Sequence, residues 1–200
     1  MSEAIHPDCR SLVALLQAHR PASAELPAAE KELADLQQMR GFAATLAEPF
    51  SRHEAKAHFT GSAVVVDPAG ERVCLVHHRK LLRWLQPGGH ADVADGGDMA
   101  RTGLREAREE TGMVVRLHPS AMGAIDVDIH AIPARKDEPG HLHLDVRFLV
   151  QADDPAQLQH DPGESFGARW LDWEAALAAA DEPALLRLLL KARQICQPAR

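Results

Sequence analysis

Between residues 8 and 48, apolar side chains recur at spacings of three and four: Leu12, Leu15, Leu16, then Leu33, Leu36, Met39. That period predicts amphipathic helix. The stretch Arg20-Pro21-Ala22-Ser23 breaks the run into two helices. Apolar stripes usually face a core, so a helical hairpin packed on the main domain is one reading. A dimer interface, or a lid over a site, is the other.

The pattern then changes. Ser62-Ala63-Val64-Val65-Val66 and Val73-Cys74-Leu75-Val76 are short and rich in β-branched residues, with the turn residues Asp67-Pro68-Ala69-Gly70 between them. They predict a β-hairpin. A glycine loop, Gln86-Pro87-Gly88-Gly89-His90, and an irregular stretch from Asp92 to Gly97 come next. A helix is predicted from Asp98, a good N-cap, to Thr111, with Gly112 as its stop. Two longer strands follow, Met122–Ile132 and His141–Gln151, joined by the turn-rich Pro133 to Gly140. Ala168–Leu171 reads as a last short strand, and residues 173–180 and 183–195 as helices. There is no internal repeat. Mixed strands and helices give a single α/β or α+β domain.

Composition narrows the function. The 200 residues suit one domain with a short appendage, and 46% hydrophobic and 26% charged residues are ordinary for a globular chain. The net charge of -7 lacks the basic footprint that gripping a nucleic-acid polymer requires. The acidic N-terminal segment also lacks a basic recognition helix. If the substrate carries phosphates, metal ions must supply much of the positive charge. Cys9, Cys74 and Cys196 are far apart and odd in number, so no disulfide framework is expected and a cytoplasmic setting is. The start Met1-Ser2-Glu3-Ala4 shows no signal-peptide pattern, and no apolar run approaches ~20 residues.

The chemistry concentrates in Arg105-Glu106-Ala107-Arg108-Glu109-Glu110-Thr111-Gly112. On a helix, Glu106, Glu109 and Glu110 share one face at i, i+3 and i+4, roughly 5–6 Å apart at Cβ. Charge runs on helices are usually solvated faces, so the cluster alone is a weak signal. Hard divalent cations want such oxygen ligands, however. Arg105, four residues before Glu109, can orient it, and the upstream glycine loop can bring backbone carbonyls to the same ion.

Arg105–Met113, REAREETGM, resembles the second half of the Nudix box, Gx5Ex7REUxEExGU, where U is a bulky aliphatic. Pro87-Gly88-Gly89-His90 is similar to the run that opens it. The resemblance implies a Nudix-like mixed β-sheet sandwiched between helices, covering roughly residues 57–180. The domain assigned on that basis is 57–200, with residues 1–56 a helical extension. Counted back from Arg105, the pattern places Glu at 97 and Gly at 91, where this chain has Gly97 and Ala91. With two extra loop residues, Gly89 takes the box glycine's role, and Asp95 or Asp98 stands in for the missing glutamate. Ala107 is small for a U position.

The family hydrolyses nucleoside diphosphates linked to another moiety. The resemblance therefore implies Glu106, Glu109 and Glu110 as ligands of Mg²⁺, or of Mn²⁺ in its place. Gly89 would add its carbonyl, Arg105 would position a glutamate, and Glu109 would also act in catalysis. Glu164, on the loop before Trp170, is the candidate for the extra carboxylate outside the box; its other reading is a loop-surface or capping residue. The expected partner is a small phosphorylated substrate, a nucleotide derivative, with a homodimer as a further possibility. The alternative is a Nudix domain without catalysis, sensing a nucleotide ligand. A scaffold built on the N-terminal helices has only the apolar stripe behind it.

Strand alternation adds a second constellation. Asp126, Asp128 and His130 share a face, as do His141, His143, Asp145 and Arg147. If Ile132 pairs with His141, then His130 faces His143, Asp128 faces Asp145 and Asp126 faces Arg147. Like charges across a ladder repel, and a ligand could relieve them, which would make this face a substrate cleft. A solvated sheet face is the other reading. Trp84 either packs under the glycine loop or stacks on a base, core packing being commoner. His77, His78 and His90 also fall near the predicted cleft, but no HxxxH or Cys/His spacing accompanies them, so zinc is not expected.

Overall fold

The computed structural model describes residues 9–134 and 139–198. Asp8, the predicted start of the first helix, and residues 135–138 of the loop after Ile132 lie outside the described residues.

Strand β1, Ala57–Val66, is the centre of a mixed sheet. It turns into β2, Arg72–His78, through Asp67. The Asp67 carboxylate accepts from the amides of Glu71 (2.9 Å) and Arg72 (3.2 Å), and Gly70 supplies the left-handed φ of 68°. β1 is longer than the predicted Ser62–Val66 because His58, Thr60 and Gly61 interrupt the apolar run before it; all ten positions are nonetheless buried.

The hairpin continues with β3 (Arg83–Leu85) and β4 (Gly88–His90), the latter pairing with β1. Helix α3, Met99–Thr111, follows, then β5 (Val115–Leu117), β6 (Asp126–Ile132) and β7 (His141–Ala152). β7 runs parallel to β1 over ten residue pairs and carries β5 and β6 antiparallel. β8, Ser165–Asp172, pairs with β2. Three strands have three residues each, too few for periodicity to show. The strand predicted from Met122 begins only at Asp126; Met122 itself is 67% exposed.

Helices cover both faces. One core joins Phe59, Ala63 and Val65 of β1 to Met99 and Ala107 of α3. It also takes in Leu12 and Leu16 of α1 (Cys9–Ala18), and Leu36 and Met39 of α2 (Ala29–Thr45). The predicted stripe is therefore packed within the chain, apart from Leu15, which is half-buried, and Leu33, which is half exposed. The other core packs Val64 and Val66 against α4 (Trp173–Ala179) and α5 (Pro183–Cys196). No described helix is long and apolar enough to cross a membrane.

β6 pairs on one side only, and an open edge leaves backbone groups to satisfy. Side chains from α2 and α5 do so. Asp35 accepts from the Ile129 amide (2.9 Å) and Lys31 donates to the Ile129 carbonyl (2.8 Å). Arg187 donates to the Val127 carbonyl (3.0 Å).

Candidate active site

The architecture brings α3 close to β1 through small residues. A Cβ on Gly61 would lie 2.9 Å from Thr102, and one on Gly103 would lie 3.1 Å from the Ser62 carbonyl. Ala107, at the position where the box prefers a bulky aliphatic, is fully buried in that same contact layer. Asp98 caps α3 by accepting from the Ala100 amide at 3.0 Å, and Gly112 ends it at φ 67°.

The three glutamates of α3 differ in setting. Glu109 is exposed, Glu106 is mostly covered, and Glu110 is buried. Glu110 accepts from the Gly88 amide at 2.7 Å. The carboxylate of Glu106 lies against Gly89, where a Cβ would sit 2.7 Å from its carbon. The glycine loop and the helix therefore meet at the Glu106 and Glu110 carboxylates.

Arg105 organises this point. Its guanidinium donates to Glu106 (2.8 Å), Glu109 (3.0 Å), the His90 carbonyl (2.7 Å) and Asp95 (2.9 Å). Asp95 also accepts from the Thr102 hydroxyl (3.0 Å) and the Asp92 amide (2.9 Å). Of the two acids offered in place of the missing box glutamate, Asp95 ties the loop to the helix and Asp98 is a cap. Arg105 and the other donors hold the Asp95 carboxyl below its usual range, although burial opposes them.

Glu110 is pushed up to about 8, first by burial and then by the negative charges of Glu106, Glu164 and Asp161, against the Gly88 hydrogen bond. Burial and Glu109 likewise raise Glu106, opposed by Arg105. Glu164 is exposed, at the end of a turn in which its amide donates to the Asp161 carbonyl at 3.2 Å. The Asp161 amide donates to the Glu110 carbonyl (3.3 Å), so this turn is fixed to the end of α3. Carboxylates that burden one another in this way, around a glycine that leaves room, fit a hard divalent cation.

The strand constellation has the expected register. Asp126 is opposite Arg147, Asp128 opposite Asp145, and His130 opposite His143. Its setting is neither a cleft wall nor a solvated face, because α2 and α5 cover it. Asp126, Asp128, Asp145 and Arg147 are each no more than 5% exposed. The charge relief comes from the protein itself. Arg187 and Lys191 bind Asp126, Lys31 and Arg147 bind Asp128, and Arg147 with the Thr60 and Ser62 hydroxyls binds Asp145. Arg187 and Lys191 carry a sequence signal of their own: two cations at i, i+4 on a helix face otherwise made of Leu185, Leu188 and Ala192.

Of the same constellation, His130 remains exposed, and His143 is half-buried and meets His58 and His90. Trp84 is half-buried at the rim of the second core, with the Arg169 guanidinium 4.1 Å from its ring centre and His77 beside it.

A mixed sheet between helices, with a carboxylate-bearing helix set against a glycine loop, defines the class of protein. A family model for the NUDIX domain matches residues 57–191, and the chain belongs to that family. Among solved structures, a NUDIX-family hydrolase from Clostridium perfringens is 24% identical. It aligns over 70% of this chain and 98% of its own, with a TM-score of 0.53. The Ap4A hydrolase binary complex of C. elegans is 19% identical, covering 66% of this chain and 93% of that one (TM-score 0.46). The NUDIX domain of Shewanella oneidensis NrtR, complexed with ADP ribose, is 18% identical over 77% and 96% (TM-score 0.48). No curated protein matches.

Proposed function

We propose that the chain is a metal-dependent hydrolase of a phosphoanhydride in a small nucleoside-diphosphate-linked substrate. The convergence of Glu106 and Glu110 on the Gly88–Gly89 loop, with Arg105 joining both sides, carries this reading. Glu106, Glu109, Glu110 and the Gly89 carbonyl would hold Mg²⁺ or Mn²⁺. Such an ion would screen phosphate oxygens and make bound water easier to deprotonate. Arg105 keeps Glu106 and Glu109 in place. Glu164, whose charge already acts on Glu110, is the base candidate from outside the box. A chain with net charge -7 needs such an ion to accept a polyphosphate. The segment 1–56 is an extension whose buried charges brace the sheet edge beside the domain.

The test is phosphate release, with Mg²⁺, from a panel of nucleotide-linked diphosphates. Glu110→Gln and Glu106→Gln should each lower kcat/KM by about a hundredfold or more, equivalent to ~2.7 kcal/mol of transition-state stabilisation. Activity unaffected by Glu110→Gln would sink the metal assignment. No turnover on any member by the parent, with ligand binding retained, would leave a nucleotide sensor as the function.

A further inference from the structure

Sequence spacing gives no reason to expect a histidine metal site, but the sheet builds one. His58 on β1 is the ladder partner of His143 on β7, and His90 on β4 is the partner of Thr60, two residues along. Side chains alternate along a strand, so the three imidazoles share one face. Their ring centres form a nearly equilateral triangle: 5.0 Å for His58–His90, 4.8 Å for His58–His143 and 4.9 Å for His90–His143. One nitrogen from each lies within 4.8 Å of the others.

This is not the glutamate site. On β4 the Cβ direction of Gly89 meets the Glu106 carboxylate, so His90, the next residue, points to the opposite side of the strand. The two sites also differ in chemistry. Carboxylates and carbonyls suit Mg²⁺ and Mn²⁺, whereas imidazoles suit Zn²⁺ and its late first-row neighbours.

A further observation points to a ligand. The Nε2 atoms of His143 and His141 are buried and have no hydrogen-bond partner among the described residues. A polar atom buried without a partner is costly, and a metal bond removes that cost. His141 borders the triangle, 4.9 Å from His58 and 5.2 Å from His143. Its Nδ1 lies 3.0 Å from the Pro139 carbonyl, which can only accept, so Nδ1 carries the proton and Nε2 the lone pair.

We propose that His58, His90 and His143 bind one divalent transition-metal ion of the Zn²⁺ class, at a site separate from the glutamate helix. A tetrahedral ion at about 2.1 Å from each nitrogen sets the nitrogens about 3.4 Å apart, so binding would draw together nitrogens that lie within 4.8 Å of one another.

The experiment uses the full chain, stripped of metal with a chelator and titrated with Zn²⁺ and with Co²⁺ as a spectroscopic probe. The parent should bind one equivalent at the histidines, give the intense visible bands of four-coordinate Co²⁺, and gain thermal stability with added Zn²⁺. His143→Gln and His90→Gln should each weaken that equivalent at least a hundredfold and abolish the bands. Glu106→Gln and Glu110→Gln should retain both. Near-UV circular dichroism confirms folding; if His143→Gln does not fold, His90→Gln on the short β4 serves alone. The assignment is overturned if the parent binds no Zn²⁺ equivalent, or if an equivalent's affinity and spectrum survive the histidine changes. Loss of binding only in the glutamate variants would also overturn it, placing the ion on α3.

Discussion

Arg187 holds Asp126 at two points, Nε to Oδ1 at 2.7 Å and Nη2 to Oδ2 at 2.9 Å, with both side chains sealed from solvent. This pair fastens α5 to the edge strand β6. Removing Arg187 leaves Asp126 to Lys191 and Arg147 and takes a donor from the Val127 carbonyl; breaking a buried ion pair costs ~3–5 kcal/mol at most in such a shared network. Arg187→Ala should therefore lower unfolding stability by that order in urea melts. The double replacement Arg187→Met with Asp126→Leu should recover little of the loss, because Lys191 and Arg147 would then lose their shared carboxylate. A single variant as stable as the parent would show that the pair carries no such burden.

The same network ties stability to acid. Burial alone would raise the Glu32 carboxyl, but hydrogen bonds from His19, Lys191 and the Ala22 amide outweigh it and hold the group down at about 2, against an ordinary 4.5. A carboxylate depressed on folding contributes its stability above the unfolded value and loses it as pH falls toward the folded one. Urea midpoints of the parent should therefore decline between about pH 4.5 and about pH 2. Glu32→Gln should be less stable near neutrality and show a shallower decline in that window. Equal slopes for the two proteins would remove Glu32 as a source of acid sensitivity.

These two cases also mark where the sequence is legible. Alternation shows which side chains of β6 and β7 share a face, and Asp128 falls opposite Asp145 on the condition that Ile132 pairs with His141, as it does in the structure. Alternation does not show what covers that face. Glu32 and Arg187 are 155 residues apart, and only packing shows that they meet. The Glu106–Glu109–Glu110 face is visible because helical spacing is local. The triangle of His58, His90 and His143 is invisible because its members sit on three strands with no common spacing. The box's missing glutamate is legible as an absence. Which acid replaces it depends on the loop's path, and Asp95 lies within a 3₁₀ turn, Val93–Asp95, that no period predicts.

Adjacent glycines in the loop should respond differently to a methyl group. A Cβ on Gly88 would lie 2.2 Å from the Ser62 Cβ and 2.8 Å from its Cα, in a strand that cannot retreat. Gly88→Ala should destabilise by about 1–3 kcal/mol or more. On Gly89 the methyl would meet only the Glu106 carboxylate, the mobile end of a side chain. Gly89→Ala should keep nearly the parent's melting temperature while turnover falls and the Mg²⁺ requirement rises. Equal thermal losses in the two variants would contradict this division.

Asp95 and Asp98 offer the sharpest separation of support from capping. Asp95 accepts a charged hydrogen bond from Arg105 and neutral ones from Thr102 and Asp92. Asn keeps its shape but loses its charge, and hydrogen bonds to charged groups contribute about 1.5–3 kcal/mol each. Asp95→Asn should therefore loosen Arg105, lower the melting temperature, and reduce turnover by roughly tenfold, about 1.4 kcal/mol at the transition state. The Asp98 side chain makes the cap to Ala100 and a long ion pair to Arg101 at 3.7 Å. Asn caps a helix as well as Asp does, so Asp98→Asn should leave both turnover and stability near the parent's. A reversed ranking would mean that Asp98, not Asp95, replaces the missing box glutamate, with Arg105 positioned by the remaining glutamates alone.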